Sequence, residues 1–331
     1  MNTMMDILCC PQCLRELSLQ ENSIVCAKCE KSYPIVNGVP IFGVSKKVSA
    51  EREREIHGET DWVTEVVSMD AHVEYAQRSA LFGQQLIDEM RHIRRGPLKI
   101  LDLGAGMGLQ SWQLLQNDFV PTAFEICPEF ALAAKQFPPL STLNFVVGDC
   151  TILPFKKNSF DAVFLKEIVH HIENLSDFAS EISRVLRNDA LIMMSEPCRS
   201  GIMNKFAKDV AKEHGMSHHY HSRSAYLKMI KQFSTIISEK DTPIPQLNRG
   251  PNIFKRFFVS QVGGSIKLIA IHDRKYFLSF ERTIRQPELT SGQEEKAAWI
   301  SKNFLPRVFS AFEQNTRIRF PQAVSLTSGF F

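Results

Sequence analysis

Lys99-Ile100-Leu101-Asp102-Leu103-Gly104-Ala105-Gly106-Met107-Gly108 says more about architecture than any other segment of the chain. An apolar run of strand length breaks into spaced glycines and gives way to a helical pattern, as expected of a buried strand feeding a tight turn at a helix N-terminus. Glycines at such a turn let the backbone approach a ligand closely where unpaired amides point outward. The spacing is Gly-x-Gly-x-Gly rather than the Gly-x-Gly-x-x-Gly of a dinucleotide fingerprint, and Asp102 stands two residues before the first glycine. A carboxylate in that place suits a cation better than a pyrophosphate.

On either side of this turn, apolar β-like runs alternate with helical ones. Strands are expected over 98–103, 120–125, 142–147, 160–165 and 190–195, and a helix over 176–187 with Phe178, Ile182, Val185 and Leu186 on one face. A further helix over 71–95 stops at Gly96-Pro97. The alternation predicts an α/β fold, a doubly wound parallel sheet wrapped by helices. Beyond Glu196 the pattern weakens, although 265–271 reads as a late strand and 297–312 as a helix kinked at Pro306. Three acids fall at successive strand ends: Asp102, then Glu125, where a carboxylate can accept both ribose hydroxyls, then Asp149 in Val147-Gly148-Asp149-Cys150. They line the carboxyl edge of the sheet, where doubly wound folds bind ligands.

These segments resemble the Rossmann-like, seven-stranded methyltransferases that use S-adenosyl-L-methionine, over about 71–275. The resemblance implies that Asp102, Gly104, Ala105 and Gly106 hold the methionine end, Glu125 the ribose, and Asp149 with Cys150 the adenine, with Ile126 and Leu165 in the same cofactor-binding set. Phe160 to Glu167 followed by His170-His171 matches the fourth motif of that family. Leu186-Arg187-Asn188-Asp189 matches its turn into the fifth strand, although the family usually has Pro-Gly-Gly there.

The chain has 331 residues, 44% of them apolar, which is enough for a sizeable core and excludes disordered, collagen-like and coiled-coil classes. Lysine and arginine number 39 against 36 acids, a formal charge of +3 that gives no support to a polyanion-coating protein. The sequence has no run of about 20 uncharged apolar residues and no signal-peptide pattern, so the expectation is a cytoplasmic protein without a membrane span. Nothing in it fixes an oligomeric state.

Of eight cysteines, Cys9, Cys10, Cys13, Cys26 and Cys29 crowd into the first 29 residues. Cys10-Pro11-Gln12-Cys13 and Cys26-Ala27-Lys28-Cys29 form two knuckles that can offer four thiolates to a structural Zn²⁺ with no open coordination position, Cys9 in place of Cys10 being the alternative. Tyr33 to Phe42 then alternates around Asn37-Gly38, a hairpin signal. This unit resembles the small zinc ribbons whose eukaryotic members activate tRNA, ribosomal RNA and release-factor methyltransferases, which implies a module that stabilises or gates a methyltransferase.

The expected organisation is a zinc ribbon over 1–44, a polar linker over 45–70, a methyltransferase domain over 71–275 with an acceptor-side insertion at 197–233, and a C-terminal extension over 276–331. Methyl transfer needs no base unless the acceptor carries a proton, and a histidine is the natural candidate for that. His170 and His171 after the fourth strand, and His219 within Glu213-His214-Gly215-Met216-Ser217-His218-His219-Tyr220-His221, are the catalytic candidates. Helix-start packing for the first pair, and a metal site or solvated loop for the second group, are the competing readings. Glu196-Pro197 resembles a pairing common in small-molecule, lipid and sugar methyltransferases, or simply ends a strand. Residues 249–285 are basic and interleaved with aromatics, as an RNA surface would be, or as strands with charged outer faces would be.

The expected function is methylation of an O or N atom of a small molecule, sugar or lipid-linked intermediate. An RNA or protein-factor acceptor is the first alternative, and a non-catalytic cofactor-binding scaffold the second.

Overall fold

The computed structural model describes residues 2–43, 69–199, 219–243, 264–276, 278, 282, 284 and 290–316. In the first 43 residues the first knuckle precedes an antiparallel four-stranded sheet, β1 Ser18–Gln20, β2 Ser23–Cys26, β3 Lys31–Val36 and β4 Val39–Pro40, and the second knuckle connects β2 to β3. Asn37 and Gly38 join β3 to β4 with φ of 49° and 78°, the pair of positive values that a type I′ turn requires.

The main sheet has seven strands: β5 Lys99–Leu103, β6 Val120–Glu125, β7 Asn144–Val147, β8 Phe160–Lys166, β9 Leu186–Pro197, β10 Ser234–Pro243 and β11 Gly264–His272. Their order is β10-β11-β9-β8-β5-β6-β7. Strands β5 to β9 pair in parallel and β11 is antiparallel to both its neighbours. The central strands are buried on both faces, which is why they read as continuous apolar runs. One face packs on α1 Met69–Ile93, whose Leu86, Ile87 and Met90 meet Ile100, Phe164 and Met193. The same layer holds α2 Leu109–Leu115 and α3 Pro128–Gln136. The opposite face is covered by α4 Leu175–Val185 and α5 Arg223–Lys231.

The ribbon shares the core of the second face: Leu8, Tyr33 and Phe42 lie in one apolar cluster with Phe124 and Phe155. Its two ends seize the two ends of segment 147–156. Ile41 bridges Val147 in parallel and the Phe42 amide donates to the Val147 carbonyl at 2.8 Å. Leu8 bridges Phe155, the Cys9 amide donates to the Pro154 carbonyl at 2.9 Å, and the Lys156 amide to the Ile7 carbonyl at 2.7 Å.

Three details differ from the sequence reading. The helix expected over 176–187 ends at Val185, because Leu186 already pairs with Phe160 in the sheet; Asp189, at φ 62°, takes the left-handed turn that glycine usually fills. Strand β10 went unseen because a register shift between Ile236 and Ser238 breaks the period of two. At the C-terminal end, α6 Ser291–Trp299 and α7 Leu305–Thr316 flank a π-helical segment Ile300–Phe304, so the disturbance expected at Pro306 spreads over the preceding turn. Both helices belong to the α1 layer, where Phe304 and Phe312 pack with Ala76, Ala80 and Phe145.

Candidate cofactor and acceptor site

The glycine turn after β5 has Gly104, Gly106 and Gly108 at φ 70°, 54° and 80°. A Cβ at Gly104 would strike Ile168 and one at Gly108 would strike Phe145, whereas one at Gly106 meets nothing within 4 Å. The open space therefore lies over Gly106. Glu125 closes its far side: Oε2 accepts from the Gly106 amide at 2.7 Å, and Oε1 accepts from the Ile126 and Cys127 amides at 2.9 and 3.1 Å. Asp102 is buried and accepts from the Ser111 hydroxyl at 2.6 Å. Burial pushes its carboxyl up to about 7, against the pull of Ser111 and Lys166. Asp149 accepts from the Thr151 amide and hydroxyl at 2.8 and 2.7 Å, which fixes the next turn, with Cys150 buried beside it. Ala105 packs against the apolar layer below, and Leu165 is buried in the core under the site.

On the other side of β5, the turn after β8 is held from β9. The Glu167 amide donates to the Ser195 carbonyl at 2.9 Å. The fully buried Glu196 carboxylate accepts from the Ile168, Val169 and His170 amides at 2.7, 2.8 and 3.3 Å, and bonds His170 Nδ1 at 2.9 Å. Glu196 thus does more than end a strand. His170 is buried, stacks on Tyr220 at 5.2 Å and lies 4.2 Å from the His171 ring. The His219 amide donates to the His170 carbonyl at 2.6 Å, so all three candidate histidines converge here. Glu213 to His218 lie outside the described residues. Tyr75, Lys166 and Glu167 also meet at this turn: Tyr75 lies off the apolar stripe of α1 and went unnoticed in the sequence, and the motif that contains Lys166 and Glu167 gave neither of them a role.

The Sγ atoms of Cys10, Cys13, Cys26 and Cys29 all lie within 4.8 Å of one another. Tetrahedral Zn–S bonds of about 2.3 Å place sulfurs about 3.8 Å apart, so the four fit one zinc ion. The Tyr33 hydroxyl stands 3.4 Å from Cys10 Sγ, where it can donate to a thiolate. Cys9 lies outside this group and is taken up in the junction with Pro154.

Residues 101–194 match the family model described as methyltransferase domain, and residues 2–38 match the Trm112p-like protein family. A segment similar to methyltransferase domains is thus joined in one chain to a Trm112p-like segment that carries the four-cysteine cluster. Malonyl-[acyl-carrier protein] O-methyltransferase of Methylococcus capsulatus is 34% identical over 110 residues, 32% of this chain and 39% of that protein. 2-Methyl-6-phytyl-1,4-hydroquinone methyltransferase of Synechocystis is 32% identical over 100 residues, 29% of this chain and 31% of that one. The match thus spans well under half of either relative. Among solved structures, the PH0226 protein of Pyrococcus horikoshii is 18% identical with a TM-score of 0.47, covering 66% of this chain and 99% of that one.

The residues around the glycine turn fit S-adenosylmethionine: Gly106 has open backbone, the Glu125 carboxylate could accept from ribose hydroxyls and the buried Asp102 carboxylate could face a cation. In the basic stretch expected as a possible RNA surface, Lys267 is buried while Arg274 and Lys275 are exposed, and each of the described cations has a partner within the chain. Lys267 is buried against Glu89 and Phe82, Arg274 and Lys275 cap backbone carbonyls, and Arg282 joins the Pro11 carbonyl to Glu181. Lys255 and Arg256 lie outside the described residues. Among the described residues no helix is long and apolar enough to cross a membrane.

Proposed function

We propose that the protein transfers the methyl group of S-adenosylmethionine to an O or N atom of a small-molecule, sugar or carrier- or lipid-linked acceptor. The observation that carries this reading is the open space over Gly106, walled by Glu125 and backed by the buried Asp102. The bound cofactor supplies an electrophilic methyl group on a cationic sulfur. Asp102 with the turn Gly104, Ala105 and Gly106 would hold the methionine end, Glu125 and Ile126 the ribose, and Asp149 and Cys150 the adenine. Most of the catalysis then comes from alignment, which can contribute about 7–11 kcal/mol in well-oriented reactions. His170, with His171 and His219 beside it, would form the wall of the acceptor side, kept in place by Glu196 and Tyr220. The relatives' names, a carrier-linked malonyl group and a hydroquinone, support a small or carrier-linked acceptor.

Titration calorimetry of zinc-loaded protein with S-adenosylmethionine and S-adenosylhomocysteine tests the reading. Micromolar binding that weakens at least about tenfold in Glu125→Ala, with an unchanged circular dichroism spectrum, is expected from the loss of hydrogen bonds to a charged group. No binding to the intact protein would discard it.

A further inference from the structure

Strand β8 ends at Lys166, and Glu167 follows at φ 54°, a left-handed conformation that costs a side-chain-bearing residue on the order of 1 kcal/mol or more. The bonds from Ser195 and Glu196 over-determine this turn, so the strain is held in place. It aims the Glu167 carboxylate at one particular group. The Tyr75 hydroxyl, from the start of α1, donates to Glu167 Oε2 at 2.5 Å and accepts from Lys166 Nζ at 2.6 Å. Lys166 Nζ also sits 3.6 Å from the Glu167 carboxylate and 4.5 Å from the Tyr75 ring centre. Burial disfavours both charges, yet each charge sustains the other: Lys166 is held above the usual lysine range and Glu167 below the usual carboxylate range.

A hydroxyl placed between a carboxylate that takes its hydrogen and an ammonium that faces its oxygen is arranged as a nucleophilic hydroxyl must be at the moment of attack. The cluster lies at the right place for that. Strand β8 is the direct neighbour of β5, with Phe164 opposite Asp102, and Ile168 packs over Gly104 on the cofactor turn. Tyr75 is 39% exposed and stands near the start of α1, so little burial is lost if its ring swings out.

We propose that Lys166 and Glu167 are the hydroxyl-activating pair of the acceptor site, that the acceptor presents a phenol- or enol-type hydroxyl, and that Tyr75 keeps its place in the free protein. The inference rests on the methyltransferase reading and names its substrate class. The occupant is itself a phenol, and a carboxylate held ionised is a weak base, matched to a hydroxyl of pKa about 10 rather than to an aliphatic alcohol. In the reaction the acceptor O–H gives its proton to Glu167, an oxygen lone pair forms the new O–CH₃ bond, and the C–S bond breaks with its electron pair going to sulfur. The products are a methyl ether, a neutral thioether and a protonated Glu167, which then releases its proton to water. Lys166 stabilises the charge that develops on the oxygen.

The test uses 4-nitrophenol, whose phenolate and phenol absorb differently, with zinc-loaded full-length protein and S-adenosylhomocysteine affinity measured in parallel. Tyr75→Ala is expected to bind the probe more tightly than the wild type, since the internal competitor is gone. In that background Lys166→Met weakens probe binding about tenfold, the scale of a hydrogen bond to a charged group. Glu167→Gln leaves the ammonium without its counter-charge and shifts the bound probe toward phenolate, a spectral change that a merely structural role would not produce. Probe binding no tighter in Tyr75→Ala, or a spectrum indifferent to both other changes while S-adenosylhomocysteine still binds, overturns the inference alone. Loss of S-adenosylhomocysteine binding in the wild type overturns the methyltransferase reading and this one with it.

Discussion

With Asp102 at the cationic end of the cofactor, as proposed, cofactor affinity should depend on pH near neutrality. The Asp102 carboxyl is 3% exposed and is pushed up to about 7, chiefly by burial, with Ser111 and Lys166 lowering it and Glu125 raising it. A ligand that brings an ammonium and a sulfonium favours the ionised carboxylate, so binding must expel the proton wherever the free protein still carries it. With a pKa of about 7, the ionised share rises from about one part in eleven at pH 6 to about ten in eleven at pH 8. S-Adenosylmethionine should therefore bind about tenfold more weakly at pH 6 than the ionised form does, with close to one proton released per ligand there. On the alkaline side an α-amino group loses its own proton at about 7.7–8.0, so affinity should peak between about pH 7 and 8. Calorimetry from pH 5.5 to 8.5, in pairs of buffers with different ionisation heats, counts the released proton directly. Asp102→Asn should bind more weakly at pH 8 and lose the acid limb. An affinity that changes less than about twofold between pH 6 and 7.5, or an Asn variant that keeps the acid limb, would refute this reasoning.

Two more expectations follow from the ribbon and from a buried histidine. Chelating zinc, or Cys26→Ser, should lower the melting temperature by at least about 5 °C and weaken S-adenosylhomocysteine binding, because segment 147–156, which carries Asp149 and Cys150, is gripped at both ends by the ribbon. A melting curve and affinity both unchanged after verified metal loss would contradict this. His272 is fully buried, with Nδ1 2.7 Å from the Arg187 carbonyl and Nε2 3.2 Å from Ser183 Oγ, and burial holds its pKa below the usual histidine range. The unfolded imidazole takes a proton near pH 6.5 and the buried one does not, so this stability is present above about 6.5 and is lost as pH falls below it. The melting temperature should drop between pH 7 and 5, with a shallower slope in His272→Gln; an unchanged slope would assign the acid sensitivity elsewhere.

What was legible in the sequence depended on whether a residue's role is local. Strands 120–125 and 160–165 are readable because both faces are largely buried and the residues are apolar or small apart from Glu125 and Asp161, and the glycine turn because only glycine tolerates those φ values beside Ile168 and Phe145. The thiolate group is legible from spacing alone. Glu196 was ambiguous because its partners are backbone amides 26 to 28 residues away. Tyr75 and Glu167 are 92 residues apart, and a hydrogen bond of that span leaves no trace in periodicity. The cations between 267 and 282 left two readings open for the same reason: their partners include carbonyls and acids from α1, α4, β10 and the ribbon.

The junction between ribbon and sheet also dictates an order of events during synthesis. Leu8 pairs with Phe155 and Ile41 with Val147, so the ribbon, once synthesised, finds these partners only after more than a hundred further residues have emerged. Until then Leu8, Tyr33 and Phe42, all buried in the finished protein, have no sheet to cover them. Early metal capture would keep the ribbon compact during that interval, when exposed apolar surface invites misassembly. The junction closes only once Val147 and Phe155 have emerged, so a nascent chain that stops before them cannot form it.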